Sequence, residues 1–315
     1  MRYSRQIIYE KLGEEKQKVI AKASATIVGC GALGSTAAEL LARAGIGELK
    51  LIDRDIVEES NLQRQSLFTE ADVGKSKARA CETWIRAINR SVKVKAHPEE
   101  LNCSNLRLLD SDIVLDCTDN IATRLLINEY CRKNSIPWIY TAVIGTTGML
   151  LNIIPKRKYC LRCVIKEVEG LDTCETRGIL NTTPRALVAM QVTEALKIIT
   201  KQPCEKSLVY FDLWNLKLEK VNVKQNPNCP VCKGKYDLLD NKEKEIVKFC
   251  GSSSFQLKGK YDYEKLKKKL AKEIGIDEHE DFFTVNGLTV FRDRVLVKAK
   301  GEKEAKSLYS KYVGN

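Results

Sequence analysis

The sequence predicts an α/β protein whose main sheet is doubly wound and mostly parallel. Short apolar runs alternate with helical patterns from residue 25 to residue 145, and a glycine-rich segment directly follows the first run. Strands that alternate with helices favour a parallel sheet, because each helix packs on the sheet while the chain returns to the opposite edge. An alternating stretch at 208–224 and a separate C-terminal segment predict an antiparallel extension and a small α+β domain.

The elements of the main domain follow from apolar spacing and from the positions of glycine and proline. After an N-terminal arm and helix (1–22), the predicted helices are 34–45, 74–90, 120–134 and 183–200. The predicted strands of the sheet are 25–30, 49–53, 92–96, 112–117 and 137–145. Gly45 and Gly47 end the first of these helices. Pro184 lies in the first turn of the last one, where no backbone amide is needed. Residues 208–224 alternate as an antiparallel hairpin does.

Three segments are predicted along the chain. They are a core domain at 1–235, a charged connector at 236–246 and a small α+β domain at 247–315. The small domain has no glycine-rich loop and no paired cysteines, so it adds no motif to those of the core. Two roles stay open for it, which are recruitment of a partner protein and simple stabilisation of the core or of a dimer.

The small domain is expected to be a sheet covered by helices. Its predicted elements are a strand within 246–257, a helix at 261–274, a hairpin and a helix at 302–312. Asn286-Gly287 suits a type I′ turn at the tip of the hairpin. Leu266, Leu270 and Ile274 are spaced at i, i+4 and i+8, so we expect all three on the helix face that covers the sheet.

The composition excludes several classes of protein. Of the 315 residues, 43% are hydrophobic, which is enough for a sizeable core. The apolar runs are too short to span a membrane, and the charged N-terminus lacks the apolar stretch of a signal peptide. We therefore expect a cytoplasmic protein with reduced cysteines and no membrane partner. The net charge of +12 is spread along the chain, so it does not decide between a nucleic-acid binder and a protein that binds triphosphates or an acidic partner. The net charge of +4 over residues 235–315 is too mild for a nucleic-acid surface, and nucleic acid is not the expected partner.

A nucleotide site is predicted at the end of the first strand. Gly29, Gly31 and Gly34 form G-x-G-x-x-G between a strand and a helix, and Asp53 ends the next strand. The glycines let the backbone approach phosphates, and the N-terminus of a helix attracts their charge. The Asp53 carboxylate can accept hydrogen bonds from the ribose hydroxyls. These residues alone fit NAD and ATP equally well.

The residues after Asp53 favour a triphosphate. SNLQRQ (60–65) places Asn61, Gln63 and Arg64 just beyond the ribose-binding strand, and Lys77 follows in DVGKSKA (72–78). A nicotinamide dehydrogenase has no need for cations here, whereas charge must be neutralised as pyrophosphate leaves. Taken one at a time, Arg64 and Lys77 could also be ordinary surface charges.

Two C-x-x-C pairs predict a structural zinc site. Cys160 and Cys163 form one pair, and Cys229 and Cys232 form the other. Four thiolates bind Zn²⁺ tetrahedrally and leave no open position for catalysis. The pairs lie far apart in the sequence, so the metal would join two remote segments. Two local disulfides and a redox dithiol are the alternatives, and a reducing cytoplasm disfavours both.

With these motifs the chain resembles the ThiF/MoeB/HesA family, the bacterial relatives of ubiquitin-activating enzymes. The matching motifs, in order, are RYSRQ (2–6), GCGALGS (29–35), DRDIVEESNLQRQ (53–65), DVGKSKA (72–78), DCTDN (116–120) and the two C-x-x-C pairs. The resemblance covers residues 1 to about 234 and implies a Rossmann-like domain in a homodimer. It also implies MgATP as cofactor and a ubiquitin-like protein that ends in Gly-Gly as partner. Sulfur carriers for thiamin, molybdopterin or tRNA thiolation are such proteins.

The resemblance assigns roles position by position. Asp53 corresponds to the ribose ligand, and Asn61, Arg64 and Lys77 correspond to ligands of the triphosphate. Arg5 corresponds to an arginine that reaches the ATP of the other subunit, although on a terminal arm it could be a simple surface residue. Asp119 corresponds to the Mg²⁺ carboxylate, although its place before a helix also fits an N-cap. The sequence departs from many members at Ala32, where they have glycine.

A cysteine in a polar loop is a further candidate. Cys174 lies in LDTCETRGIL (171–180), where some family members have a cysteine that bonds the carrier protein during sulfur transfer. The resemblance therefore implies a covalent role for Cys174 in a step with a downstream sulfur donor or conjugation partner. No lowered pKa can be inferred for this thiol from the sequence. Cys30, Cys81, Cys117 and Cys131 lie on strand or helix patterns and are expected to pack in the core.

The expected reaction is adenylation of a carrier's C-terminal glycine carboxylate, with release of pyrophosphate. Three rivals remain. A family member could adenylate another carboxylate, such as a modified tRNA base or a peptide. A nicotinamide dehydrogenase would share the glycine loop and leave the cations and cysteines unexplained. A non-catalytic subunit of a heterodimer would not need the full set of candidate ligands.

Overall fold

The computed structural model describes two compact units, Met1–Asn241 and Lys242–Asn315. The residues that it describes are 2–165, 177–239, 246–248, 254–257, 259, 261–279, 281–292, 294–299 and 301–314. Within these residues no helix is long and apolar enough to cross a lipid bilayer.

Unit 1 alternates helices and strands in the predicted order. Its helices are α1 (Ser4–Ile8), α2 (Gly13–Ile20), α3 (Ala32–Ala44), α4 (Lys77–Ile88), α5 (Ile121–Lys133), α6 (Leu161–Val164) and α7 (Thr182–Ile199). Its strands are β1 (Ser24–Val28), β2 (Glu48–Ile52), β3 (Lys93–His97), β4 (Ile113–Asp116), β5 (Trp138–Ile144), β6 (Thr147–Ile153), β7 (Leu208–Asp212) and β8 (Lys217–Val221).

The strands form one mixed sheet in the order β3-β2-β1-β4-β5-β6-β7-β8. The pairs from β3 to β5 are parallel, and those from β5 to β8 are antiparallel. The predicted doubly wound sheet with an antiparallel extension is therefore confirmed. Strand β6 was not predicted. Its apolar run follows β5 after a short turn at Gly145, where φ is +58°, and so continues the sheet as a hairpin.

The strand order places a crevice beside β1. The chain leaves β1 towards β2 on one side, and β4 lies on the other side of β1. Open α/β sheets bind ligands at such a switch point, outside the carboxyl ends of the strands. The segments that follow β1, β2 and β4 meet at this edge, and they carry the glycine loop, Asp53 and Asp119.

Apolar side chains cover both faces of the sheet. Successive strand residues point to opposite faces. Ile27 and Leu115 belong to one buried cluster, and their neighbours Val28 and Val114 belong to a second cluster on the other face. Each side chain of this size contributes about 1.5–3 kcal/mol when fully buried. The central strands are thus fixed from both sides, which holds their carboxyl ends in place.

Unit 2 is a small sheet with helices on one face, as predicted. Its strands are β9 (Ile246–Lys248), β10 (Ser254–Leu257), β11 (Asp277–Glu278), β12 (Phe282–Val285), β13 (Leu288–Phe291) and β14 (Val295–Lys298). They pair in the order β11-β12-β13-β14-β10-β9. The helices are α8 (Tyr263–Glu273) and α9 (Glu302–Tyr312). The single strand expected within 246–257 is in fact the antiparallel pair β9 and β10.

Two local expectations for unit 2 have different outcomes. Asn286 and Gly287 both have positive φ, +45° and +80°, as the predicted type I′ turn requires. The assignment of Ile274 to the buried face of the helix was wrong. Leu266 and Leu270 are buried, but Ile274 is 46% exposed. The helix ends at Glu273, and Gly275 turns the chain away with φ +74°.

Candidate active site

The positions of the phosphate loop require glycine for different structural reasons. Gly29 has φ +89°, and a Cβ there would lie 2.6 Å from the carbonyl oxygen of Cys117. A Cβ on Gly34 would lie 1.7 Å from the carbonyl oxygen of Gly29. Both positions therefore exclude any side chain because backbone atoms occupy the space. These two glycines fold the loop and let it rest on the turn after β4.

Gly31 has room for a side chain at the N-terminus of α3. A Cβ there would have only the side-chain amide of Gln65 within 4 Å, at 3.7 Å. Gly31 is the N-cap of the 13-residue helix α3, and no side chain caps it. The free amides and dipole of a helix N-terminus attract anions. The N-terminus of α3 beside Gly31 is therefore a candidate position for phosphate groups.

Asp53 is tied to the phosphate loop. It follows β2 directly, is 9% exposed, and accepts the amide of Cys30 at 2.5 Å and that of Asp55 at 2.7 Å. Burial raises the pKa of Asp53 to about 6, and the nearby Asp55 carboxylate adds to this. The Asp53 carboxylate therefore lies beside the glycine loop, and its role as the ribose ligand stays a prediction.

Lys77 is the buried cation of the site. It begins α4, is 8% exposed, and its Nζ lies 3.3 Å from Asp55 Oδ2. Burial alone would lower the pKa of Lys77, but the carboxylates of Asp55, Asp53 and Asp119 together raise it. The ammonium group therefore stays charged near neutral pH. Asp119 is thus close enough to Lys77 to contribute to this shift.

Asn61 and Arg64 lie on the segment that contacts the loop through Gln65. Asn61 is buried and its Oδ1 accepts the amide of Glu58 at 3.2 Å. Arg64 is half-buried, and its Nη1 donates to the carbonyl of Ser60 at 2.9 Å. One contact leaves most of the five donors of a guanidinium available to a ligand.

The carboxylate of Asp119 does not cap the following helix. Asn120 is the N-cap of α5, and its side chain accepts the amide of Thr123 at 2.8 Å. Asp119 is exposed at the edge of the sheet. The alternative reading of Asp119 as an N-cap was therefore wrong, because the next residue has that role.

Arg5 lies away from the phosphate loop of its own chain. Its neighbour Gln6 donates to the carbonyl of Ala44 at 2.9 Å, and Asn89 donates to the hydroxyl of Tyr3 at 2.8 Å. Ala44 is the last residue of α3, which begins at the loop and is about 20 Å long. An exposed arginine at this distance cannot reach the loop in cis.

The four cysteines of the two pairs form one cluster. All four Sγ atoms lie within 4.8 Å of one another. Cys160 Sγ lies 3.6 Å from Cys229 Sγ, and Cys163 Sγ lies 3.5 Å from Cys232 Sγ. Sulfurs around tetrahedral zinc are about 3.8 Å apart, whereas a disulfide is about 2.05 Å long. Burial raises the pKa of Cys160 to about 12, whereas, despite burial, hydrogen bonds from its neighbours lower the pKa of Cys163. The set of four sulfur donors fits zinc.

The chain matches the ThiF family over residues 3–231. It is 35% identical to the sulfur carrier protein ThiS adenylyltransferase of Bacillus subtilis, over 99% of each chain. It is also 35% identical to the SAMP-activating enzyme E1 of Haloferax volcanii, over 73% of this chain and 88% of that protein. The chain belongs to the ThiF family. This confirms the family resemblance and the predicted enzyme class, an ATP-dependent adenylyltransferase.

A solved structure supports the same assignment of this ThiF-family fold. A crystal structure of Escherichia coli MccB with ATP has a TM-score of 0.66 and 25% identity, and the match covers 74% of this chain and 75% of that chain. ATP use is therefore supported by a structural neighbour as well as by the named relatives.

The remaining cysteine predictions concern four packing cysteines and Cys174. Cys30, Cys81, Cys117 and Cys131 are buried, and burial holds the pKa of the Cys131 thiol well above its usual range. These cysteines are packing residues, as expected. Cys174 lies outside the described residues.

Sequence reasoning missed several residues of this ThiF-family site. Asp55 holds both Asp53 and Lys77, and Gln65 lies against Gly31. Asp116 and Arg124 form a buried ion pair beneath the turn that carries Asp119, with 3.3 Å between Oδ2 and Nε. Asp55, Gln65 and Asp116 stand inside the quoted motifs, so the signal was present. Only their tertiary contacts reveal their roles.

A groove on unit 1 is a separate feature. It has a volume of about 860 Å³ and opens between α7 and β8, with Met190, Leu218 and Lys220 among its lining residues. None of the predicted site residues that the structure describes lines it. Its position on the antiparallel extension separates it from the phosphate loop beside β1.

Proposed function

We propose that this protein uses MgATP to adenylate the C-terminal glycine carboxylate of a small ubiquitin-like sulfur-carrier protein and releases pyrophosphate. The observation that carries the proposal is the likeness to the ThiS adenylyltransferase of Bacillus subtilis, which spans 99% of both chains. The site beside β1 supplies the chemistry, because it combines a phosphate loop, a ribose-binding carboxylate, cations and an exposed aspartate.

In the proposed complex the nucleotide lies along the carboxyl edge of the sheet. The ribose hydroxyls donate to Asp53, and the phosphates lie above Gly31 at the N-terminus of α3. Lys77 and Arg64 then face the triphosphate, with the amide of Asn61 beside them. The positive charges are present before ATP binds, so they need no reorganisation as negative charge moves towards pyrophosphate.

The chemistry needs no general base. The glycine carboxylate is already an anion at neutral pH, and one of its oxygens attacks the α-phosphorus. The new bond joins this oxygen to phosphorus, and the bond to the β-phosphate oxygen breaks, so pyrophosphate leaves with the electron pair. Catalysis is then positioning and charge stabilisation. Neither His97 nor His279 is required to accept a proton.

The exposed Asp119 carboxylate suits the Mg²⁺ of the nucleotide. Mg²⁺ in such sites is held by one or two carboxylates together with phosphate oxygens and water. Asp119 would supply the protein oxygen, and the ion would neutralise phosphate charge. Because Asn120 caps α5, the Asp119 carboxylate is not needed at the start of that helix.

The second subunit of a homodimer would complete the site. Arg5 is exposed and cannot reach its own phosphate loop, so a twofold axis is needed to bring it to a nucleotide. In the proposed dimer each Arg5 contacts the triphosphate bound to the partner subunit. Arg5 would then act on the nucleotide of the partner subunit and not on that of its own chain.

An exposed apolar hairpin offers a place for the body of the carrier. The β7–β8 turn lies at the same edge of the sheet as the phosphate loop, because Thr147 pairs with Asp212 and Asp212 with Lys217. Trp214 and Leu216 on this turn are 74% and 86% exposed. Large apolar side chains exposed together often mark interaction sites.

The distance from the hairpin to the site fits a short flexible tail. Four strand spacings separate β4 from β8, which is about 19 Å. An extended chain covers this distance with about six residues. A carrier docked on Trp214 and Leu216 could therefore pass its C-terminal tail across β7, β6 and β5 and present its last glycine beside Asp119.

We propose zinc as the occupant of the four-cysteine cluster. Cys160 and Cys163 follow β6, and Cys229 and Cys232 follow β8, so the ion would join the two ends of the antiparallel extension. Four protein ligands leave zinc no open position. The role is therefore structural, and it supports the strands that carry the hairpin.

Two proposals concern later steps. The Cys174 thiolate would displace AMP from the acyl-adenylate and form a thioester, which leaves adenylation itself independent of Cys174. Residues 247–315 would recruit the downstream partner. The match to the SAMP-activating enzyme E1 of Haloferax volcanii covers 88% of that protein but only 73% of this chain. The unmatched part of that protein is therefore too short to contain a counterpart of the whole of residues 247–315.

The division between the two units guides a truncation test. Leu238 donates its amide to Glu129 Oε2 at 2.9 Å and packs against the core with Leu239. A truncated chain should therefore end at Asn241 and keep both leucines. It should retain adenylation and lose transfer to a downstream acceptor. Loss of adenylation in a folded, zinc-loaded truncation would contradict this division of labour.

Mass spectrometry can identify the substrate. Small proteins that end in Gly-Gly are taken from the same organism and incubated one by one with the enzyme and ATP. An adenylate adduct on the C-terminal glycine of one of them is the expected result. Adducts only on tRNA, or on a free peptide, would contradict the proposal and favour an enzyme for another carboxylate.

A further inference from the structure

The turn between β4 and α5 supports two parts of the proposed site. It carries Asp119, and its Cys117 carbonyl oxygen would lie 2.6 Å from a Cβ on Gly29. The phosphate loop therefore rests directly on this turn. A group that fixes the turn also fixes the Asp119 carboxylate relative to the phosphate loop.

Asp116 holds the start of the turn. Its side chain is fully buried, and Oδ1 accepts the amide of Thr118 at 3.0 Å and the hydroxyl of Thr118 at 2.7 Å. Its backbone carbonyl accepts Thr141 Oγ1 at 2.6 Å and Gln191 Nε2 at 3.1 Å. The carboxylate thus closes the turn, while β5 and α7 fix its backbone.

Arg124 holds the other side of the turn. Its side chain extends from α5, is 12% exposed, and places Nε 3.3 Å from Asp116 Oδ2. Nη2 donates to the carbonyls of Thr118 and Thr141, the latter at 3.0 Å. Thr118 is the residue directly before Asp119. One guanidinium therefore joins the turn, the neighbouring strand β5 and the buried carboxylate.

The chemistry of the side chain matters for this arrangement. A guanidinium is planar, always charged and able to donate in several fixed directions at once. A lysine in its place could neutralise Asp116 but could not hold both carbonyls with the same geometry. Loss of the charge would leave the Asp116 carboxylate buried and unpaired. Arg124 is thus more specific to this turn than a simple counter-ion would be.

We propose that Arg124 is a positioning residue for Asp119. By holding the Thr118 carbonyl against β5, it fixes the direction in which the Asp119 carboxylate leaves the turn. This inference rests on the proposed function, in which Asp119 binds the Mg²⁺ of ATP. Arg124 itself need not touch the nucleotide.

Hydrogen–deuterium exchange in the ligand-free, full-length protein tests the hold on the turn. Arg132 provides a matched control, because it lies on the same helix and its Nη1 donates to the carbonyl of Arg157 at 2.8 Å. In Arg124→Gln the amides of residues 118–120 should exchange about tenfold faster or more, as local opening becomes easier. Arg132→Gln should leave them unchanged. Equal exchange in wild type and Arg124→Gln would overturn the proposal.

Calorimetric titration of ATP with Mg²⁺ tests the consequence for Asp119. Mg²⁺ should increase the affinity for ATP, and the Mg²⁺ concentration that gives half of this increase is the quantity measured. In Arg124→Gln this concentration should rise about tenfold, as it does when a residue that orients a metal ligand is lost. ATP affinity in EDTA should stay within about twofold of wild type, since the phosphate loop remains. Arg124→Lys should show a smaller rise.

The outcomes separate this inference from the proposed function. An unchanged Mg²⁺ midpoint in Arg124→Gln, or an equal loss of ATP affinity in EDTA, would overturn the positioning role. If Arg124→Gln does not fold, Arg124→Lys is held to the same criteria. If the ATP affinity of the wild-type protein does not depend on the Mg²⁺ concentration, the proposed role of Asp119 is contradicted. The hydrogen–deuterium exchange experiment would still decide whether Arg124 holds the turn.

Discussion

The backbone amide of Cys30 donates a hydrogen bond to Asp53 Oδ2 over 2.5 Å. This contact joins the phosphate loop after β1 to the proposed ribose ligand after β2. The two parts of the proposed nucleotide site are therefore joined through one buried carboxylate, which accepts this hydrogen bond.

The pKa of Asp53 predicts a pH dependence of ATP binding. Burial raises this pKa to about 6 in the ligand-free protein, so the carboxyl takes up a proton as the pH falls through 6. ATP binding that needs the carboxylate must then release this proton, and the Kd for ATP should rise about tenfold per pH unit below 6. Above pH 7 this contribution should be flat.

Calorimetry between pH 5 and pH 8 checks this prediction. Asp53→Asn is the comparison, because it removes the titrating group and should weaken binding at pH 7.5. The γ-phosphate of ATP also titrates in this range, so the slope that remains in Asp53→Asn is subtracted. Identical slopes in wild type and Asp53→Asn would show that Asp53 is not the group responsible.

Zinc content is the second prediction. One zinc per chain should be bound by the four-cysteine cluster. Cys229→Ser should lose the ion and lower the melting temperature sharply, because binding energies of order 10 kcal/mol in such sites contribute to folding. Elemental analysis and thermal unfolding of the fresh protein measure both effects.

Cys204→Ser is the matched control for the zinc experiment. Cys204 is half-buried, its Sγ lies 3.2 Å from Arg157 Nη2, and it is not one of the four clustered cysteines. This variant should keep its zinc and most of its stability. Freshly purified wild-type protein without zinc would rule out the structural role of the cluster.

The third prediction concerns the dimer. Arg5→Ala and Asp119→Ala should each be inactive. After subunit exchange, a mixed dimer contains one site with an intact Asp119 and an intact Arg5 from the partner. Random exchange should therefore restore roughly a quarter of wild-type activity, since half of the dimers are mixed and each has one working site.

The control is the same mixing experiment with subunit exchange verified by mass spectrometry of differently tagged chains. No recovery in verified mixed dimers would mean that Arg5 acts in cis or not at all. A monomer at working concentrations would be equally decisive against the proposed sharing of residues.

Most of the fold could be predicted from the sequence, and so could the glycine loop and the cysteine pairs, whose residue types and spacing are specific. Gly29 and Gly34 are fixed by backbone atoms less than 3 Å away, so their spacing is a reliable signal. The cysteine pairs are equally direct, because metal ligation needs these residue types. The final helix was predicted with its observed bounds, 302–312.

The parts that could not be predicted depend on tertiary contacts. Ile274 has helical spacing, but the helix ends one residue earlier and turns it outward. Asp119 and Asn120 are both good N-caps, and only the position of Thr123 decides between them. Arg124 has no local signal, since its partners Asp116 and Thr141 come from two neighbouring strands.

The fourth prediction concerns the exposed hairpin. Leu216→Asp and Trp214→Ala should each weaken carrier binding about tenfold or more, as loss of an apolar anchor does, and leave ATP binding unchanged. The fluorescence of Trp214, which is 74% exposed, should change on carrier binding and report it directly. Ile274→Asp is the control, because it alters a similarly exposed apolar side chain in unit 2. An equal loss in that control, or none in the hairpin variants, would place the carrier elsewhere.

ATP–pyrophosphate exchange with the identified carrier tests the central claim most directly. Radiolabelled pyrophosphate should enter ATP only when the carrier retains its C-terminal glycine, because that carboxylate is the nucleophile. Asp119→Ala should abolish the exchange, and Cys174→Ala should preserve it, since adenylation precedes any thiol step. Failure of exchange with every Gly-Gly-ending candidate, or exchange that continues after removal of the terminal glycine, would contradict the proposed reaction.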